Sequence, residues 1–300
     1  MKLTKFNNLA AADAAVILEL APILDIAVAK RLEGGSERKF YIETTRGEKQ
    51  NLCIAPIAEY KWREGSSLVY KHIASVGITA PQMICEGHCS EGALLYQLYT
   101  WLDGEDVLTA LPRLGSTEQF KLGVKFGEAA RKLHTLPPLG SPEPWEILCK
   151  RRVEEAMQAY VAKPIKTHAN DLLVKYLQDN TSLPDNRPQT FVHGDWATDN
   201  LILLPNGQIG IIDCGIPVKD PWFEFWSTVF ESSHFCIGQV EGYFEGEPPS
   251  EYFPLLAFYV AMETLSWGYD AEKAITIFDD MRNPAPKWYL KDYVILQQNK

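Results

Sequence analysis

The sequence predicts an α+β protein, with a β-rich amino-terminal part followed by a mainly helical remainder. Short β-prone runs separated by glycine-bearing turns fill much of the amino-terminal third, as in an antiparallel sheet. The rest of the chain contains longer segments in which apolar residues recur at helical spacing. Because strands and helices are segregated along the chain, we expect two lobes, residues 1–103 and residues 104–300.

Composition is typical of a globular protein. The 300 residues are 46% hydrophobic, which is sufficient for a substantial core. No apolar run approaches the roughly 20 residues that span a bilayer. Acidic residues interrupt the apolar residues near the amino terminus, unlike in a signal peptide. The six cysteines lack the spacing of a disulfide framework, so we expect free thiols, a cytosolic protein and no membrane partner.

The net charge of −10 is unevenly distributed. Residues 1–190 contain 23 basic and 23 acidic side chains, whereas residues 191–300 contain 6 and 16. A nucleic-acid partner is disfavoured, because phosphate contacts require clustered lysine and arginine. An acidic site would attract a cationic small molecule. An acidic solvated surface would explain the same charge distribution.

The first lobe is expected to begin with a helix at residues 13–20 and to continue as an antiparallel sheet. The predicted strands are residues 26–32, 40–42, 52–54, 83–85 and 94–99. Turns are expected at residues 34–36 and 46–48, where glycines occur. A helix is predicted over residues 62–74, because its apolar residues fall on one face.

The second lobe is expected to consist mainly of helices. A capping box formed by Ser116 and Gln119 predicts a helix that runs to about His134. Gly123 and Gly127 lie on one side of this helix and indicate close packing against a neighbouring helix. Further helices are predicted at residues 146–162, 168–179 and 252–268, and an aromatic helix is expected to begin with residues 220–225.

The segment from Thr190 to Asp213 brings polar side chains together. It alternates short apolar runs with a polar loop and a hairpin signal at residues 205–208. Asp195, Asn200 and Asp213 are therefore expected to lie close together. One carboxylate could accept a proton from an attacking hydroxyl group. The amide oxygen and the other carboxylate could hold Mg²⁺ on the phosphates of a nucleotide.

This segment resembles a kinase signature. Four residues separate His193-Gly194-Asp195 from Asn200, and Asp213-Cys214-Gly215 follows. Glycine in the centre of the first triplet resembles the aminoglycoside phosphotransferase and choline kinase superfamily. The segments RPQ at 187–189, DPWFEF at 220–225 and GYFEGEPP at 242–249 resemble one bacterial subgroup of it.

The resemblance implies a two-lobed, protein-kinase-like fold that binds ATP or GTP between the lobes. Asp195 would act as the catalytic base toward a hydroxyl group of a small molecule, and Asn200 and Asp213 would bind Mg²⁺. Nucleotide contacts are expected from the Gly34-Gly35-Ser36 turn and Lys39, from Leu98 and Thr100 near the hinge, and from Glu64 of the predicted residue 62–74 helix.

Cys53 departs from the family pattern. It occupies the strand position at which related kinases carry a lysine or arginine that contacts phosphates. Three explanations remain open: Lys39 reaches the same phosphates, Mg²⁺ suffices at a reduced rate, or nucleotide binding is poor and catalysis is lost.

The acceptor is expected to be a cationic small molecule, for example an aminoglycoside-like antibiotic. Candidate partners for its ammonium groups are Glu224, Glu231 and Glu263. The catalytic loop has Ala197 and Asp199 where the family usually has histidine and glycine, which argues against aminoglycosides. The alternatives are a catalytically weak or inactive nucleotide-binding homologue, and a choline-, homoserine- or macrolide-type kinase.

Overall fold

The computed structural model describes residues 9–32, 38–59, 66–215, 218–279, 281 and 289. The chain divides into two compact units. The first comprises Met1–Gly104 and Leu204–Ile212, and the second comprises Glu105–Leu203 and Asp213–Lys300.

The first unit is built on a five-stranded antiparallel sheet, which confirms the β-rich amino-terminal part. Its helices are α1 (Ala11–Leu24) and α2 (Ser66–Ser75), and its strands are β1 (Ile26–Arg31), β2 (Arg38–Thr44), β3 (Lys49–Pro56), β4 (Met83–Cys89) and β5 (Leu94–Thr100). The strand order is β1-β2-β3-β5-β4.

Alternating side chains of the central strands supply the core of the first unit. Phe40 and Ile42 on β2, and Leu52 and Ile54 on β3, are almost completely buried. Successive strand residues point to opposite faces, so each pair of apolar residues projects to the same side. Helix α1 adds Ile17 and other apolar residues to this core.

The second unit is mainly helical, as expected from the sequence. Its elements are β6 (Glu105–Asp106), α3 (Val107–Ala110), α4 (Ser116–Leu133), α5 (Trp145–Ala162), α6 (His168–Asp179), β7 (Thr190–Phe191), β8 (Leu201–Leu203), β10 (Val218–Lys219), α7 (Ser233–Phe244), α8 (Tyr252–Trp267) and α9 (Ala271–Ile277). Strand β9 (Ile209–Ile211) belongs to the first unit. A 3₁₀ segment, Pro221–Trp226, follows β10.

Helix α8 forms the centre of the second unit. Every residue from Tyr252 to Leu265 except Pro254 is buried. Helices α5, α6 and α9 and the Pro221–Trp226 segment all pack against it. An all-round apolar helix is expected at such a central position.

Four glycines allow α4 and α7 to approach each other at backbone distance. A Cβ atom on Gly123 would lie 2.1 Å from the carbonyl oxygen of Phe235, and one on Gly127 would lie 2.2 Å from that of Gln239. Gly238 and Gly242 on α7 face the backbone of α4 just as closely. The close packing predicted from Gly123 and Gly127 is confirmed.

The capping box predicted at Ser116 and Gln119 is wrong by one residue. Gly115 is the N-cap of α4, and its N–H donates to Glu118 Oε2 at 2.9 Å. The Gln119 side chain instead donates to the carbonyl oxygens of Leu111 and Leu114, both at 3.0 Å. Because glycine has no side chain to accept a hydrogen bond in return, only the Glu118 half of a capping box forms, one position earlier than predicted.

Among the residues that the structure describes, no helix combines the length and hydrophobicity needed to cross a bilayer.

Candidate active site

The loop that contains Asp195 is anchored by the strand preceding it. Strand β7 pairs with β10, with Phe191 opposite Val218 and Thr190 opposite Lys219. Phe191 and the following Val192 are fully buried, whereas Asp195 is exposed. The strand therefore fixes the start of the loop in the core and leaves the carboxylate of Asp195 accessible.

Asp195 and Asn200 lie in contact. Asn200 Nδ2 donates to Asp195 Oδ2 at 3.0 Å and to the Asp195 carbonyl oxygen at 3.1 Å. The N–H of Asp195 donates to His193 Nδ1 at 3.3 Å. Asp195 Oδ2 is thus occupied by an amide donor, and His193 supports the loop rather than facing solvent.

Asp213 follows strand β9 in an uncommon backbone conformation. Its φ of 59° lies in the left-handed region, and its side chain is exposed. The neighbouring Cys214 thiol donates to the carbonyl oxygen of His193 at 3.8 Å. Strained residues of this kind concentrate at functional sites, where the surrounding structure holds them. The contact of Cys214 joins the Asp213 segment to the Asp195 loop.

The side-chain oxygens of this loop are suitable ligands for Mg²⁺. Both side-chain hydrogen bonds of Asn200 use Nδ2, so Oδ1 accepts no hydrogen bond within the described part of the chain. Mg²⁺ prefers oxygen ligands and usually takes one or two from the protein, with phosphates and water completing its shell. The described residues contain no cluster of three histidine, cysteine or acidic side chains that would suit a metal bound entirely by protein.

Glu224 is a buried carboxylate that organises the loop. Its Oε2 accepts the N–H of His193 at 2.5 Å, and its Oε1 accepts the N–H of Gly194 at 2.7 Å. His134 Nε2 lies 3.4 Å from Glu224 Oε2, and His134 Nδ1 lies 2.9 Å from the hydroxyl of Tyr243. Because Gly194 has a φ of 86°, this glycine and the buried carboxylate together determine the loop's shape.

Replacing Glu224 with glutamine should destabilise the protein. The amide cannot accept both N–H groups as well as the carboxylate does, so a buried donor loses its partner, which costs about 1–3 kcal/mol. Urea unfolding measures the change, with Glu128→Gln on the exposed face of α4 as the control. Equal midpoints for both variants would contradict the role of Glu224.

The stability of the wild-type protein and that of Glu224→Gln should depend differently on pH. Burial alone would raise the pKa of Glu224, but the hydrogen bond from His134, the neighbouring histidines and the Gly194 N–H lower it below the ordinary value of 4.5. A lowered pKa in the folded state stabilises the protein above 4.5, and this stabilisation is lost as the pH falls below that value. We therefore expect the difference in unfolding midpoint between wild type and Glu224→Gln to shrink on acidification below 4.5.

Asp220 holds the base of the loop through a second buried network. It accepts Arg187 Nε at 2.6 Å, the Tyr259 hydroxyl at 2.7 Å and the Trp222 N–H at 2.9 Å. Arg187 also stacks on Trp222, with its Cζ 3.7 Å from the ring centroid. Sequence reasoning noticed residues 187–189 and 220–225 as family-like segments but assigned Arg187 and Tyr259 no role.

Of the residues expected to contact the nucleotide, some lie on strands of the first unit and others lie outside the described residues. Lys39 is directly opposite Cys53 in the β2–β3 register. Leu98 and Thr100 lie on β5, where Thr100 Oγ1 accepts the N–H of Gln82 at 2.9 Å. Gly34, Gly35, Ser36 and Glu64 lie outside the described residues.

The three carboxylates expected to bind a cationic acceptor already have protein partners. Glu224 is bonded as described above, and Glu231 accepts the hydroxyl of Thr198 at 3.1 Å. Glu263 forms an ion pair with Arg152 and accepts Trp267 Nε1 at 3.0 Å. Their contact with an acceptor stays a prediction.

The chain matches known proteins at the level of family and fold. A model described as the phosphotransferase enzyme family matches residues 28–253. No curated protein matches the sequence.

Several solved structures resemble the chain at low sequence identity. An aminoglycoside phosphotransferase, APH(2")-IIia, in complex with GDP and kanamycin has a TM-score of 0.67 and 14% identity, covering 96% of this chain and 98% of the other. The structure of APH(3'')-Id from Streptomyces rimosus, in complex with ADP and streptomycin, has a TM-score of 0.59 and 16% sequence identity. The match covers 87% of this chain and 100% of the other. The structure of choline kinase from Streptococcus pneumoniae has a TM-score of 0.60 and 12% sequence identity. The match covers 96% of this chain and 98% of the other. These similarities confirm the predicted protein-kinase-like fold.

Proposed function

Because the chain belongs to the phosphotransferase enzyme family, we propose that it transfers the γ-phosphate of ATP or GTP to a hydroxyl group of a small molecule. The observation that carries the proposal is the exposed Asp195 carboxylate bonded to Asn200. Nucleotides and small-molecule acceptors in the complexes of similar structures support it.

Asp195 is the proposed catalytic residue. The acceptor oxygen attacks the γ-phosphorus, the bond to the nucleoside diphosphate breaks, and the hydroxyl proton passes to Asp195. Its Oδ1 is the proposed proton acceptor, because Oδ2 receives the hydrogen bond from Asn200. When bound by Asn200 Oδ1 and Asp213, Mg²⁺ would neutralise negative charge on the nucleotide phosphates.

Lys39 is the proposed substitute for the missing cation at Cys53. Residues directly opposite each other in an antiparallel pair project their side chains from the same face of the sheet. Lys39 and Cys53 form such a pair, and Cys53 itself is buried. The long side chain of Lys39 can therefore bring an ammonium group to the face on which the family's lysine emerges.

Replacing Lys39 with methionine should weaken nucleotide binding by about 10- to 100-fold, because a charge-assisted hydrogen bond contributes about 1.5–3 kcal/mol. Isothermal titration calorimetry with ATP and Mg²⁺ measures the effect. Lys71→Met, which removes an exposed lysine from α2, is the control. If Lys39→Met and the control retain the same affinity, the phosphates are held without Lys39.

Thermal unfolding with nucleotide tests the proposed function directly. A ligand present at 100 times its Kd stabilises the folded state by about 2.7 kcal/mol, so millimolar ATP with Mg²⁺ should raise the unfolding midpoint. EDTA should remove most of the shift, and GTP in parallel reports nucleotide preference. Absence of a shift with either nucleotide would count against a kinase.

A catalytically weak or inactive nucleotide-binding protein is the second candidate, and Cys53 favours it. Nucleotide binding without release of ADP or GDP, across aminoglycosides, macrolides, homoserine and choline, would support this alternative. Phosphorylation of any of these acceptors would identify a working enzyme. The acidic excess of residues 191–300 favours a cationic acceptor, although Glu224, Glu231 and Glu263 are already bonded within the protein.

A further inference from the structure

Lys219 lies against the residue that precedes Asp195. It occupies β10 opposite Thr190, and its Nζ is 3.5 Å from the carbonyl oxygen of Gly194. The same amine lies 4.4 Å from the centroid of the Phe223 ring. The strand pairing therefore places a cation beside the catalytic loop, although sequence reasoning gave Lys219 no role.

Within the described part of the chain, the amine of Lys219 has no carboxylate oxygen within 4.0 Å, and Gly194 supplies its single, long hydrogen bond. Burial is the largest cause of its lowered pKa, and the positive charge of Arg152 adds to the effect. Removing a charge from water without a counter-ion is costly. A ligand with negative charge would remove that cost.

Arg152 brings a second cation to the same place. Its Cζ lies 5.4 Å from the Phe223 centroid, so the ring contacts both cations. Arg152 forms its ion pair with Glu263, whose other oxygen accepts Trp267 Nε1. Its own Nε is buried without a hydrogen-bond partner among the described residues. Glu263 offsets the charge of Arg152, which leaves Lys219 with no ion-pair partner among the described residues.

The position of the amine places it beside the catalytic residue. Its Nζ lies 3.5 Å from the carbonyl oxygen of Gly194, which directly precedes Asp195. A ligand group held by Lys219 would therefore lie close to the Asp195 loop, where the acceptor hydroxyl is proposed to lose its proton.

We propose that Lys219 and Arg152 bind an anionic group of the acceptor, so that the substrate is an alcohol carrying a carboxylate or a phosphate ester. The proposal rests on the proposed phosphotransfer function and specifies its acceptor. An ammonium group elsewhere on the same acceptor is compatible with it.

Chemical labelling of the full-length protein provides a test that does not require turnover. Peptide mass spectrometry measures the rate at which Lys219 is acetylated. The rate is compared for the protein without additive and with inorganic phosphate, glycerate, glycerol or 3-aminopropane-1,2-diol. The three organic probes share a carbon skeleton and differ in charge. We expect phosphate and glycerate to slow acetylation of Lys219 by at least threefold, and the neutral and cationic probes to leave it unchanged. Equal acetylation under all conditions would overturn the proposal.

Variants connect this labelling to binding. Lys219→Met should lose the rise in unfolding midpoint produced by phosphate or glycerate, whereas Lys219→Arg should keep part of it. Lys121→Met, which removes an exposed lysine from α4, should keep all of it. If both Lys219 variants kept the full rise in unfolding midpoint, an anion site at this lysine would be excluded.

Nucleotide affinities separate the two possible sources of the anion. Lys219→Met should bind ADP and a non-hydrolysable ATP analogue as wild type does, within about twofold. A selective loss of affinity for the triphosphate analogue would assign the amine to the γ-phosphate and overturn the acceptor proposal. If wild type binds phosphate at Lys219 but shows no nucleotide-induced shift, the proposed function fails while the anion site stands.

Discussion

Replacing Asp195 with asparagine is expected to lower kcat by about 10²- to 10⁴-fold, the usual contribution of a general base. The substitution keeps the size of the side chain but removes the carboxylate oxygen proposed to receive the proton. Asn200 already bonds to the other oxygen, so the loop retains a polar partner at that position. A coupled assay of ADP release, run with an acceptor that the wild-type protein phosphorylates, measures kcat.

Asp199 provides a matched control in the same loop. It is exposed like Asp195, and no role in proton transfer is assigned to it. We expect Asp199→Asn to change kcat by only a few fold. Nucleotide-induced thermal shifts of all three proteins check that folding and nucleotide binding persist. If Asp195→Asn turned over at the wild-type rate, another group would have to accept the proton.

Replacing Gly127 with alanine should destabilise the second unit by about 1–3 kcal/mol, the usual cost of overpacking. Helix propensity alone predicts the opposite sign, since alanine is favoured over glycine in a helix by about 1 kcal/mol. Packing should dominate, because the new Cβ would lie 2.2 Å from the Gln239 carbonyl oxygen and 2.8 Å from the Tyr243 nitrogen. Both atoms belong to the backbone of α7, so relief requires the helix itself to move.

Urea unfolding followed by circular dichroism measures this effect. Glu128→Ala, on the exposed face of the same helix, is the control and should change stability by no more than about 0.5 kcal/mol. A Gly127→Ala protein as stable as wild type would show that α4 and α7 can separate at little cost.

The parts of the site that follow from the sequence are local in the chain. Asn200 follows Asp195 by only five residues, so a polar loop between two short strands brings their side chains together. The hairpin turn after β8 is equally local, with the N–H of Leu204 donating to the carbonyl oxygen of Gln208 at 2.9 Å. Gly123 and Gly127 indicated a close helix contact because small residues at helical spacing remove side-chain bulk from one face.

By itself, the sequence determined the α+β class, the order of the elements and the kinase-like signature, since these depend on periodicity, turn residues and short spacings. Tertiary structure alone decided which acidic and basic side chains are bonded to each other. Glu224 is indistinguishable from an exposed glutamate in the sequence, yet it accepts two N–H groups of a loop 30 residues away. Among the described residues, the lack of a carboxylate beside the Lys219 amine is likewise a consequence of packing, because burial and counter-ions depend on segments far apart in the chain.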